Sequence, residues 1–189
     1  MSEKVFQKVF QKMIGQPCWG VYHGQFGLSF NVGNPKLVVN CCKNDPVKDR
    51  RIRKLTHVQG EWGFRLTHAY WKLIVLSSDG KKKMVATVSS KINLQYQACR
   101  LLTGQRLTSV EINNKTGKTI LGFDLGAELI IRRWEASTDD LWSLAEPNGY
   151  FLGVNGDGTY SHVPGSGLDN RPAVNNRPLK RAFLLADSL

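Results

Sequence analysis

No apolar run in this chain approaches the roughly 18 residues that a membrane span requires. Its N-terminus opens on Met1-Ser2-Glu3-Lys4 and then alternates Val, Phe, Gln and Lys, without the continuous apolar core of an export signal. A cytoplasmic protein with no membrane partner is the expectation. Only four cysteines occur among 189 residues, and none sits in a Cys-x-x-Cys pair. The spacing therefore writes in neither a disulfide framework nor a paired-thiol zinc site. Also missing are a Gly-x-Ser-x-Gly elbow, a Gly-rich phosphate loop ending in Lys-Ser/Thr, and any zinc-finger, recognition-helix or RNP-like signature. These gaps weigh against an enzyme and leave no cofactor implied.

Acid is scarce in one half alone. Residues 1–102 hold 17 Lys/Arg against 5 Asp/Glu, whereas residues 103–189 hold 9 against 10, so the whole charge of +11 resides in the first half. A one-sided field of this kind favours an anionic partner. The candidate binding residues are Lys48, Arg50, Arg51, Arg53 and Lys54 in one polar stretch and Lys81, Lys82 and Lys83 in another. Trp and Tyr do not interleave with these cations as a single-strand stacking platform would require.

The apolar pattern changes period along the chain. Val5, Phe6, Val9, Phe10 and Met13 fall on one helical face over residues 3–13. From Trp19 the period becomes two. Trp19, Val21 and His23 form one strand; Phe26, Leu28, Phe30 and Val32 line the buried face of a second; Gly33-Asn34-Pro35 is expected to turn the chain into a third at Leu37-Val38-Val39. After the polar connection 43–54, strands are expected at 55–59, 61–66, 70–76 and 84–88. A helix over 91–102 follows, capped by Ser89 or Ser90, with Leu94, Ala98, Leu101 and Leu102 on one face. Strands at 107–112, 119–125, 128–133, 139–145, 150–155 and 159–163 complete the pattern, and a Pro/Gly/Asn-rich tail runs from Pro164.

That order repeats itself. Gly15-Gln16 and Gly104-Gln105 stand 89 residues apart. Leu28-Ser29-Phe30-Asn31-Val32-Gly33 and Leu121-Gly122-Phe123-Asp124-Leu125-Gly126 stand 93 apart, a difference absorbed by the longer loop around Asn113-Asn114-Lys115-Thr116-Gly117. The reading is an α+β fold, mainly antiparallel β, made of two pseudo-repeats of helix plus β-meander packed as a sandwich or barrel-like sheet. Residues 1–163 form the single domain, with repeats at about 2–88 and 89–163; residues 164–189 form an extended or disordered tail in which Leu179 and Phe183-Leu184-Leu185 are available as an anchor.

Gly60-Glu61-Trp62 with Trp71-Lys72-Leu73, followed by Phe123-Asp124-Leu125-Gly126 and Trp142-Ser143-Leu144 with Glu146-Pro147-Asn148-Gly149, resembles a family of small bacterial proteins that carries no known activity. The resemblance spans about residues 14–162 and implies the fold alone. Gly63 stands where that family has His, Arg65 where it has Trp, and His68-Ala69-Tyr70 where it has Cys and His.

Chemistry elsewhere is thin. Cys18, Cys41, Cys42 and Cys99 with His23, His57, His68 and His162 are the residues able to ligate a metal, but no spacing makes them converge, and adjacent Cys41 and Cys42 on a strand point to opposite faces. No metal site is expected. Cys18 and His23 are five positions apart across a strand and so face opposite ways; Ser161-His162 are chain neighbours, and Asp139-Asp140 suits a strand start. Trp19, Trp62, Trp71, Trp134 and Trp142 are expected to pack the core. The expectation is thus a non-catalytic interaction protein of bacterial type. Its basic face would meet an acidic protein partner, as in a toxin-neutralising or defence-associated adaptor, with nucleic acid the alternative occupant and a small enzyme the third reading.

Overall fold

Helix α1 (Ser2–Met13) is amphipathic in the way its spacing dictates: Phe6, Val9, Phe10 and Met13 are buried, while Lys8, Gln11 and Lys12 face water. Each large apolar side chain withdrawn in this way contributes about 1.5–3 kcal/mol. The computed structural model describes residues 2–24, 27–41, 54–134, 140–165, 177–178 and 183–186. Phe26 and Leu179 lie outside them. After α1 come strands β1 (Cys18–Gly24), β2 (Gly27–Cys41), β3 (Lys54–Leu66), β4 (Ala69–Leu76) and β5 (Lys82–Thr87). Helix α2 (Ile92–Leu102) leads to β6 (Leu107–Ile112), β7 (Thr119–Phe123), β8 (Glu128–Arg133), β9 (Asp140–Ala145), β10 (Tyr150–Asn155) and β11 (Thr159–Pro164). Two short strands in the tail, β12 (Arg177–Pro178) and β13 (Phe183–Ala186), pair with β11 and β6.

The strands form two sheets in which every pairing is antiparallel. A seven-stranded sheet runs β1-β2-β3-β9-β10-β11-β12, and a six-stranded sheet runs β13-β6-β7-β8-β4-β5. Neither sheet belongs to one half of the chain. After β3 the chain crosses between sheets through Thr67 and His68 alone; His68 takes a positive φ of 48° to make the corner, a conformation His adopts more readily than most side chains.

One core fills the space between the sheets. Phe30 stacks on Phe64 with centroids 4.8 Å apart, and Phe64 stacks on Trp142 at 5.0 Å. From the other sheet, the buried Thr119 hydroxyl accepts the Trp142 indole N–H at 2.8 Å, so the ring is satisfied without water. The helices close the sides. α1 packs on β13 and carries Phe6 onto Tyr160 of β11, whereas α2 packs on β1 and β5. Trp62, Trp71 and Trp142 are buried; Trp19 is half-buried, and Trp134 is exposed against Tyr70.

Four expectations change. β2 does not turn at Gly33-Asn34-Pro35. It runs through as one strand of 15 residues with an irregularity between Val32 and Pro35. Likewise 55–59 and 61–66 are one strand. α2 is also rotated from its expected face: Gln95, Ala98, Cys99 and Leu102 are buried, whereas Leu94 and Leu101 are exposed. The cause is Gln95. Its amide donates to the carbonyls of Val88 (2.8 Å) and Ser90 (3.0 Å), satisfying the chain that enters the helix. Ser90 meanwhile accepts from Thr87 N–H rather than capping α2, whose N-cap is Lys91.

Candidate functional site

Strand pairing carries the end of β3 at Lys54 and the turn that bears Lys81, Lys82 and Lys83 to one end of the molecule. Pro17, just before β1, bridges to Arg106, just before β6, and so ties the two sheets together there. Beside Pro17, Cys18 pairs with Val32, and β2 and β3 run on past that point as a two-stranded arm. Ala145 pairs with Gly63, so the turn between β9 and β10 lies at the same end. In the other sheet Leu107 pairs with Phe123, the β7–β8 turn follows, and Gly126 of that turn packs on Leu76, where β4 enters its turn toward Lys81 and Lys82. The arm and three turns thus share an end.

The arm is the unusual part. Its pairs run from Pro35↔Gly60 to Cys41↔Lys54. On the β9 side, β3 is paired only over residues 63–66; on the β1 side, β2 is paired only over residues 27–32. Beyond those limits neither strand has a further strand neighbour among the described residues. The extra residue between Val32 and Pro35 sets which face each side chain takes. It keeps Pro35 and Leu37 on the side of Leu28, Phe30 and Val32, as a bulge does by resetting the period of two. Leu37 and Val58 therefore pair on the extension of the core face, yet they are 69% and 57% exposed. The bulge needs its glycines. Gly33 has φ +83° with Trp62 behind it, and a Cβ on Gly60 would lie 2.6 Å from that of Asn31. Asn31 Oδ1 accepts the Gly60 N–H at 3.0 Å, and Gly33 O accepts the Trp19 indole N–H at 2.7 Å.

The cations fall into three groups. Lys48, Arg50, Arg51 and Arg53 lie outside the described residues, in the segment that joins Cys41 to Lys54. Lys54 forms the last pair of the arm, with its side chain outside the described set. Lys81, Lys82 and Lys83 are exposed at the β4–β5 turn, and two of them have carboxylate partners. Lys81 is 3.4 Å from Asp79, and Lys82 is 2.6 Å from Glu128, which strand pairing sets opposite Ile74. Hydrogen bonds from Ser77 and Lys81 hold the Asp79 carboxyl below the usual carboxylate range. Among the described residues Lys83 and Lys36 have no carboxylate partner, and both are exposed.

A feature that the sequence did not single out lies beside the β9–β10 turn. A cleft of about 260 Å³ opens between α1 and that turn, with Lys4 and Lys8 on one side and Glu146, Asn148 and His162 on the other. His162 Nε2 is 2.6 Å from Glu146 Oε1, and the Tyr150 ring stands 5.1 Å from the imidazole. Leu152↔His162 pairing and the turn at 146–149 bring together residues sixteen apart, which no motif signals. The lining holds a base and an acid but no Ser, Thr or Cys, and its volume falls below the roughly 300–1,000 Å³ of ordinary ligand pockets.

Cys18 of β1 and Cys99 on the buried face of α2 are free, buried neighbours. Burial, reinforced by Cys99, pushes the Cys18 thiol up to about 12, and burial also raises Cys99. Desolvation lowers His23, whose ring stands 5.9 Å from Trp71. Raised thiols are poor nucleophiles and poor metal ligands, and among the described residues no group of three or more His, Cys, Asp or Glu is placed to hold a metal. No described helix is long and apolar enough to cross a membrane. No family model, curated protein or solved structure matches the chain.

Proposed function

We propose that this protein is a non-catalytic interaction module whose working element is the β2–β3 arm and whose partner is an acidic protein. One observation carries the reading: Leu37 and Val58 pair across the arm on a continuation of the core face and stay exposed. We read this apolar pair, on an arm with no further strand neighbour among the described residues, as the surface that another protein covers. The net charge of +11, all of it from the first half, supplies long-range attraction to an acidic partner. A nucleic-acid partner is the alternative, since a two-stranded ribbon fits the major groove. The described shaft argues against it by presenting Leu37, Val58 and Thr56, with Lys36 as its only cation among the described side chains.

We further propose that the two halves are copies of one unit. The order β1-β2-β3-β9-β10 in one sheet is matched by β6-β7-β8-β4-β5 in the other, with α1 and α2 in equivalent places. In that scheme the long arm stands where the second copy keeps only the short β7–β8 turn, so the arm is the elaboration that distinguishes the first copy.

Affinity capture from cell extracts, run with and without nuclease treatment, tests the function. The wild-type chain should retain one defined acidic protein, with retention falling as salt rises. A Leu37→Asp/Val58→Asp variant should lose it while keeping its far-ultraviolet spectrum. Retention of DNA or RNA instead, weakening steeply with salt at about 0.9 logarithmic units per phosphate contact and indifferent to the Leu37 and Val58 changes, would replace this reading with the alternative.

A further inference from the structure

Resting on that reading, we infer that the partner docks by adding an extended strand to the free edge of β3 over residues 54–60, alternating apolar and acidic side chains. Among the described residues both edges of the arm lack a strand neighbour, and they differ. The β2 edge is blunted by the means natural sheets use against stray pairing: a bulge at its root, Pro35, and the exposed Lys36. The β3 edge lacks the bulge and the proline, and its one lysine, Lys54, stands at its far end. Between Leu55 and Gly60 it carries no proline and no formal charge, and its regular pairing with β2 runs without interruption from Gly60 to Lys54. Seven residues at about 3.3 Å each make an edge of roughly 23 Å, long enough for a stable added strand.

The two faces of the arm set the chemistry of that strand. On the core-side face Val58 and Leu37 are exposed and adjacent, so alternate side chains of an added strand meet apolar surface. On the opposite face Lys36 pairs with Gln59, and Val38 with His57, so the intervening side chains meet a cation and an imidazole. An alternation of Val or Thr with Glu satisfies both faces, and the chain's positive field attracts such a segment while repelling a second copy of this protein.

The probe is a capped seven-residue peptide alternating Glu with Val and Thr, titrated into the isotopically labelled full chain at low salt. Two N-methylated isomers accompany it, carrying methyl groups on odd or on even amides. Methylation leaves side chains and charge intact but removes the hydrogen-bond donors of one strand edge. The expected result is slowed exchange and shifted resonances at amides 54–60, with one isomer binding at least tenfold more weakly than the parent and the other unchanged. Equal binding by both isomers, equal loss by both, or shifts centred elsewhere would overturn strand addition. Failure of the parent peptide while the acidic partner is still captured through Leu37 and Val58 would also overturn strand addition and leave the functional reading standing. Loss of both would remove the reading itself.

Discussion

Trp142 and Thr119 join the two sheets through one buried hydrogen bond, which a second hydrogen bond from Thr119 completes. The indole donates to the Thr119 hydroxyl at 2.8 Å, and that hydroxyl donates to Gly117 O at 2.9 Å, all in the buried core. Such a closed chain matters because a buried donor left unpaired costs about 1–3 kcal/mol. Cys18 shows the same environment acting on a thiol. Below about pH 8.5, where a free thiol ionises, folded and unfolded chains both keep the Cys18 proton, and its contribution to stability is complete. As pH rises toward about 12, the raised value in the fold, the unfolded chain releases that proton first, so stability falls. The urea midpoint of the wild-type protein should therefore decline from about pH 9 to 11, and decline less steeply in Cys18→Ala. An identical slope in the two proteins would show that the thiol does not titrate with folding.

At the scale of elements, the arm exists because a glycine turns a hairpin signal into a bulge. Gly33, Asn34 and Pro35 are the residues of a turn, and their composition was legible as such. What composition did not reveal was that Asn31 and Glu61 would satisfy the bulged backbone: Asn31 accepts from Gly60 N–H, and Glu61 accepts from Asn34 N–H at 3.2 Å. With those acceptors in place the chain continues as a strand. Gly33→Ala forces a left-handed φ on a Cβ that also meets Trp62, and should lower unfolding free energy by about 1–3 kcal/mol. Asn34→Ala, exposed beside it, should change it by less than about 0.5 kcal/mol. Urea denaturation of the pair checks this, and equal effects would remove the bulge as the arm's support. α2 teaches a similar lesson. The expected face of Leu94, Ala98, Leu101 and Leu102 kept Ala98 and Leu102 but not the two other leucines, because Gln95 goes inward to serve two carbonyls, which an apolar pattern does not weigh.

For the whole molecule, the decisive feature is the exchange of strands between halves. β3 pairs with β9 and β8 pairs with β4, so each sheet is completed by the other half of the chain. Fragments 1–90 and 91–189 should each stay unfolded alone, since each would expose the apolar face of a partial sheet. Mixed together they should recover the native spectrum and the buried Trp fluorescence. A fragment that folds alone would show that the halves are independent domains.

The amphipathic period of α1, the alternation in β4, and the excess of cations before residue 102 were all decided by the sequence, because period and charge are local properties. Lys81, Lys82 and Lys83 were visible there too. Their partial neutralisation by Asp79 and Glu128 was not, since Glu128 reaches Lys82 only through strand pairing. The tertiary structure alone decided that β4 and β5 leave the sheet of β1–β3, that His162 meets Glu146, and that Leu37 and Val58 end up beyond the reach of the core. The physical reason is common to all three. A period of two says which side chains share a face, but only the completed packing determines which stretches of that face find something to cover them.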